Sequence, residues 1–156
     1  MSLDKIQYRE LIDKVLHYLE PEIPYSLSAR ELLMLTMAVE SEGGKYLQQV
    51  GGGPARGPFQ MEHVTENDIW DTFLAYRPKL AEKVKKLMDS LDESDDMVTN
   101  DWYAIAMARI KYKRIPFPLP SFNDVEAMAQ YHLKYYNAGG KATIQHSMDC
   151  YKKYCI

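Results

Sequence analysis

Apolar residues at Ile6, Leu11, Ile12, Val15, Leu16 and Leu19 recur at the spacing of one helical face, which predicts an amphipathic helix stopping before Pro21 and Pro24. A second run, with Leu32, Leu33, Leu35, Met37 and Val39, is apolar nearly all round. That pattern predicts a buried central helix from Ser28 to about Ser41, with Ser28-Ala29-Arg30-Glu31 as its capping box. Gly43 and Gly44 supply the left-handed backbone that ends helices, so Glu40 falls in the last turn. From Gly51 to Pro58 the chain holds too much Gly and Pro for a helix or a strand interior; it is a long loop or at most a short ribbon.

Beyond the loop, Thr65-Glu66-Asn67-Asp68 opens a short helix through Ile69, Trp70, Phe73 and Leu74, and Pro78 opens another carrying Leu80, Val84, Leu87 and Leu91. Residues 92–96 form an acidic turn without the glycine and spacing of a calcium loop. A helix from Asn100 to about Tyr112 groups Trp102, Ile105, Ala106, Arg109 and Ile110, and Pro116, Pro118 and Pro120 stop it. Asn123-Asp124-Val125-Glu126 caps the next, which carries Met128, Ala129, His132 and Tyr135 and ends at Gly139-Gly140. A last helix runs from about Thr143 to Tyr154. Since no alternating strand pattern, repeat or internal boundary emerges, residues 1–156 read as one mainly α-helical domain, built as a bundle or as two lobes around a cleft.

The composition is that of an ordinary globular domain: 46% hydrophobic and 26% charged residues, with a net charge of -3. No polybasic field points to nucleic acid, and Lys83, Lys85 and Lys86 read as a solvated helix face. No apolar stretch is long enough to span a bilayer. The first residues lack the apolar core of a signal peptide, so the expectation is a protein inside a cell or one carried across the membrane by another agent. His17, His63, His132 and His146 form no His-Glu-x-x-His pair, and Cys150 and Cys155 form no Cys-x-x-Cys knuckle; neither a zinc enzyme nor a structural disulfide is expected.

Glu40 stands where a buried helix meets a flexible loop. Burial and the carbonyl end of the helix dipole both act to raise a carboxyl pKa, and a carboxylic acid protonated near neutral pH can donate to a leaving group. Three segments share its character, each a polar residue at a glycine-containing helix end or loop: Glu40-Ser41-Glu42-Gly43-Gly44, Ala55-Arg56-Gly57-Pro58-Phe59-Gln60-Met61 and Tyr135-Tyr136-Asn137-Ala138-Gly139.

These segments resemble the signature of the lysozyme-like soluble lytic transglycosylases, a family that includes many phage enzymes cutting peptidoglycan. Its motifs run Glu-Ser, then Gly-Leu-Met-Gln, then aromatic-Asn-Ala-Gly. Here Glu40-Ser41 matches the first, Gly57-Pro58-Phe59-Gln60-Met61 follows seventeen residues later, and Tyr136-Asn137-Ala138-Gly139 matches the third. Pro58-Phe59 replaces Leu-Met, and His63 replaces a proline of the family's usual continuation to Thr65. The likeness covers roughly Arg30 to Lys141.

The resemblance implies a lysozyme-like fold with helices around a substrate cleft, and cleavage of the MurNAc-GlcNAc β-1,4 bond with no cofactor or metal. Glu40 is then the general acid and base, oriented by a hydrogen bond from Tyr136, which otherwise is a core aromatic. Gln60, Phe59, Asn137 and Ser41 become substrate contacts, although Gln60 and Asn137 also suit turns and caps, and Ser41 suits a helix-end hydroxyl bonding carbonyls. Glu42, Glu62 and Asp68 are the nearby candidates for a second carboxylate. An inverting muramidase requires one, whereas a transglycosylase uses the substrate's own acetamido and 6-hydroxyl groups. The alternatives are such a muramidase or a phage structural protein that grips peptidoglycan without cutting it. A phage origin implies either a place in the virion or the host cytoplasm with later release to the wall.

Overall fold

A computed structural model of the chain describes residues 4–44, 53–88, 96–138, 140 and 142–156. Gly51 and Gly52 of the loop, Leu91, residues 92–95 of the acidic turn and Gly139 of the third motif lie outside the described residues. The α-helices are α1 (Lys5–Tyr18), α2 (Leu27–Ser41), α3 (His63–Thr72), α4 (Pro78–Leu87), α5 (Asp96–Thr99), α6 (Asp101–Lys113), α7 (Val125–Tyr135) and α8 (Ile144–Cys155), with a short 3-10 turn at Leu74–Tyr76. Among the described residues there is no strand. The described part of the glycine-rich loop contributes one antiparallel bridge, Arg56 to Met61.

Helix α2 is the axis of the molecule. Residues Leu32 to Ala38 are all buried, and α1, α6, α7 and α8 pack around them, as an apolar circumference requires. Helix α6 is nearly as central, with Tyr103 to Ile110 buried. The two are pinned by Thr36, whose hydroxyl donates to Leu32 O at 2.7 Å and meets the Tyr112 hydroxyl at 2.7 Å. A fully buried pair of hydroxyls must satisfy each other, and this one does.

Several boundaries differ from those the sequence predicts. Helix α2 is capped by Ser26, which accepts from Ala29 N at 3.0 Å. Ser28 therefore sits inside the helix, and Glu31 makes no capping box. Instead Glu31, 4% exposed, faces inward from α2. There it accepts from Arg9 of α1 at 2.7 and 2.9 Å, from its neighbour Arg30 at 2.8 Å and from Tyr151 of α8 at 2.6 Å. Helix α3 begins at His63, two residues before the predicted cap, and Glu66 turns back to pair with Arg56 and to accept from Tyr103 at 2.5 Å. At the end of α2 the left-handed conformation starts at Glu42 (φ 52°), one residue before Gly43. Helix α7 ends at Tyr135 rather than at the glycines, because the His132 carbonyl accepts from both Tyr136 N (2.8 Å) and Asn137 N (2.9 Å) and closes the last turn. Both cysteines are free and buried.

Candidate active site

The glycine-rich loop is folded back against the end of α2 by buried side chains. Arg56, 4% exposed, donates to Met61 O at 2.5 Å and pairs with Glu66, so its charge braces both ends of the turn. Gly57 lies at φ 81° against α5; a Cβ there would stand 2.1 Å from Met97 O. An alanine pays about 1–2 kcal/mol for the left-handed conformation alone, and the backbone clash adds to that. Gly57→Ala is expected to lose at least about 2 kcal/mol of stability, seen as a melting temperature lowered by at least about 5 °C.

The motifs read in the sequence meet at one place, each bonded to the other two. Ser41 of the first donates to Pro58 O of the second at 2.6 Å. Tyr136 of the third donates to Phe59 O of the second at 2.7 Å. Asn137 of the third donates through Nδ2 to Glu40 Oε2 of the first at 3.0 Å.

These bonds also sort the predicted residues by role. Ser41 and Phe59 are fully buried and act here as braces: Ser41 also bonds Met37 O (3.1 Å) and accepts from Gly44 N (3.0 Å), while Phe59 is a core ring. Tyr136, buried and expected to orient Glu40, spends its hydroxyl on Phe59 O instead. Burial, reinforced by the charge of Glu40, pushes that phenol well above its ordinary range, so it stays protonated as a donor. Gln60 is half-buried in a left-handed conformation (φ 48°) with Nε2 donating to Gly57 O at 2.9 Å.

The residue that does hold Glu40, together with Asn137, is His132, which the sequence pattern groups with Met128, Ala129 and Tyr135 on α7 and to which it gives no role. It is fully buried, and its Nε2 lies 2.8 Å from Glu40 Oε2. Its ring stacks on Tyr136 at 5.6 Å between centroids, and Nδ1 is buried without a partner among the described residues. A proton on Nδ1 would be a buried unsatisfied N–H, so hydrogen-bond satisfaction assigns it to Nε2, which donates to Glu40. The signal was its position: one helical turn before Tyr136, in the last turn leading to the third motif.

Both N–H groups converge on Oε2. Glu40 is 12% exposed in its side chain, and its Oε1 accepts no hydrogen bond among the described residues. Beside the clamp, Val39, Asn137, Ala142, Thr143 and His146 line an open depression of about 370 Å³. Lys111 completes the surroundings, donating to Tyr136 O at 3.0 Å with its Nζ 3.7 Å from the centre of the Tyr136 ring. Burial lowers its pKa, against the opposing pull of Glu40 and Glu62.

Two of the candidates for a second carboxylate have partners of their own. Asp68 is ion-paired with Arg114 at 2.7 Å, and Glu42 faces the Tyr154 hydroxyl at 3.5 Å. Glu62 is exposed at the start of α3. Among the described residues no group of three or more His, Cys, Asp or Glu is placed to hold a metal, and no helix is long and apolar enough to cross a membrane. No family model matches the chain, and neither a curated protein nor a solved structure does.

Proposed function

We propose that the chain is a peptidoglycan-cleaving glycosidase with a lysozyme-like fold, cutting the MurNAc-GlcNAc β-1,4 bond by the lytic transglycosylase route. The observation that carries this reading is the mutual bonding of the motifs around one carboxyl whose second oxygen accepts no hydrogen bond among the described residues. Protonated Glu40 gives its proton from Oε1 to the glycosidic oxygen as the C1–O bond breaks, and the substrate's acetamido group stabilises the cation at C1. The resulting carboxylate takes the proton of the 6-hydroxyl as that oxygen bonds to C1. The products are a 1,6-anhydromuramoyl end and a regenerated acid. Glu42 and Asp68 are engaged elsewhere, which favours a route that needs no protein nucleophile.

A second reading is inverting hydrolysis with Glu62 as base. It is favoured by Glu62 itself, whose side chain is exposed at the start of α3 and makes no ion pair or hydrogen bond among the described residues. Mass spectrometry of muropeptides released from purified sacculi separates the two: anhydro ends are expected, and reducing ends, heavier by one water, would make it a hydrolase. Sacculi bound by the native chain but left uncut would overturn both routes in favour of a binding protein.

Tyr136→Phe is expected to cost about 1 kcal/mol of stability through the lost bond to Phe59 O, while muropeptide release stays within roughly tenfold of native, because the hydroxyl does not touch Glu40. A loss as deep as that of a Glu40 variant would place the hydroxyl in the chemistry.

A further inference from the structure

Gly140 lies against the clamp that holds Glu40. Its N–H donates to the Asn137 carbonyl at 3.1 Å, so the chain turns back over the residue three before it. A Cβ built on Gly140 would stand 1.7 Å from Asn137 Oδ1, 2.5 Å from Cγ and 3.0 Å from Nδ2, whereas ordinary contact begins at about 3.5 Å. All three atoms belong to the side-chain amide whose Nδ2 donates to Glu40 Oε2 at 3.0 Å. The amide is therefore wedged. Its Nδ2 end meets the carboxyl, which His132 already holds at 2.8 Å, and its Oδ1 end meets the bare Cα of Gly140.

Gly57 meets a different kind of obstacle. There the neighbour is a backbone carbonyl, Met97 O, which gives way only if α5 moves, so a substitution is felt in stability. At Gly140 the neighbour is the end of a half-buried side chain that lines the open depression of about 370 Å³. An added methyl is relieved there by turning the Asn137 amide toward the depression. Oδ1 and Nδ2 share one rigid plane, so a turn that brings Oδ1 out to ordinary contact carries Nδ2 off Oε2, and the bond to Glu40 is lost.

We propose that Gly140 is a positioning residue for the acid: lacking a side chain, it leaves the place in which the Asn137 amide stands, and through that amide it fixes Glu40 Oε2. The proposal rests on the reading of Glu40 as the catalytic acid. It gives this glycine a use other than ending α7, whose last turn has already closed on His132 O.

The test is a double-mutant cycle on muropeptide release from sacculi by the full chain. Asn137→Ala and Gly140→Ala are each expected to lower kcat by about 10–100-fold with KM little changed, because both take the amide off Oε2. The variant carrying both substitutions, in which the added methyl meets no amide, is expected to be no slower than Asn137→Ala alone. A glycine that only shaped the backbone would cost the same on either background. The proposal is overturned if either single variant turns over as fast as native, or if Gly140→Ala slows the Asn137→Ala chain by more than about threefold, beyond the error of such a cycle. Should Gly140→Ala not fold, folding restored by Asn137→Ala supports the contact, and a double variant that also fails to fold overturns it. Sacculi left uncut by the native chain would sink the glycosidase reading, and the contact is then read from the Asn137 side-chain amide protons. Gly140→Ala is expected to move them to the position of a free asparagine amide; protons left in place overturn the proposal.

Discussion

Glu40→Gln is expected to fold normally and to release muropeptides from sacculi about 10²–10⁴-fold more slowly than the native chain, the range proton transfer by a positioned side chain contributes. The substitution suits the question because glutamine keeps the shape of glutamate and a carbonyl oxygen that can still accept from His132 and Asn137. What it removes is the proton that Oε1 must give and take back. His132→Leu tests the clamp separately: with only Asn137 left on Oε2, turnover is expected to fall by about 10–100-fold through misplacement of the carboxyl, with KM little changed. His132→Gln, which restores an N–H donor, is expected to recover part of that loss. If the leucine variant turned over as fast as native, the histidine would be a packing residue only.

Glu31→Ala is expected to cost about 3–5 kcal/mol of stability, the range for breaking a buried ion pair from one side. The carboxyl joins α1, α2 and α8 through Arg9, Arg30 and Tyr151, and its loss leaves Arg9 without its bidentate partner. The pH dependence has a definite sign. Burial pushes the Glu31 carboxyl up, but the hydrogen bonds from Arg9, Tyr151 and Arg30 together outweigh it and hold the folded pKa below the ordinary 4.5. A carboxyl lowered on folding contributes its full stability above the unfolded value and loses it as pH falls through the folded one. Urea unfolding at stepped pH should therefore show the native chain weakening below about pH 4.5, while Glu31→Gln, less stable at neutral pH, shows a flatter acid limb. Parallel acid limbs would remove Glu31 as the source of the dependence.

Local pattern located the helices because each rests on spacing within a few turns. It misread Glu31 for a related reason: a serine three residues before a glutamate satisfies the capping-box spacing whether or not the serine stands at the cap, and here Ser26 holds that place. The end of α7 was displaced in the same way. Gly139-Gly140 looked like a terminator, but the doubly accepting His132 carbonyl closes the helix earlier.

The sequence alone determined a mainly helical chain, a central α2 with Glu40 in its last turn, and a set of motifs that belong together. Their joint meaning depended on bonds between residues 17, 77 and 97 positions apart, which no local period encodes. Only the packing of α2 against α7 decided that Ser41, Phe59 and Tyr136 are buried braces, that Asn137 reaches the carboxyl, and that His132, 92 residues from Glu40, holds its Oε2. Hydrophobic periodicity says which side of a helix is buried. Which polar atom a buried side chain meets there is settled by how the neighbouring helices dock, because a buried donor or acceptor must find its partner in whatever element lies opposite.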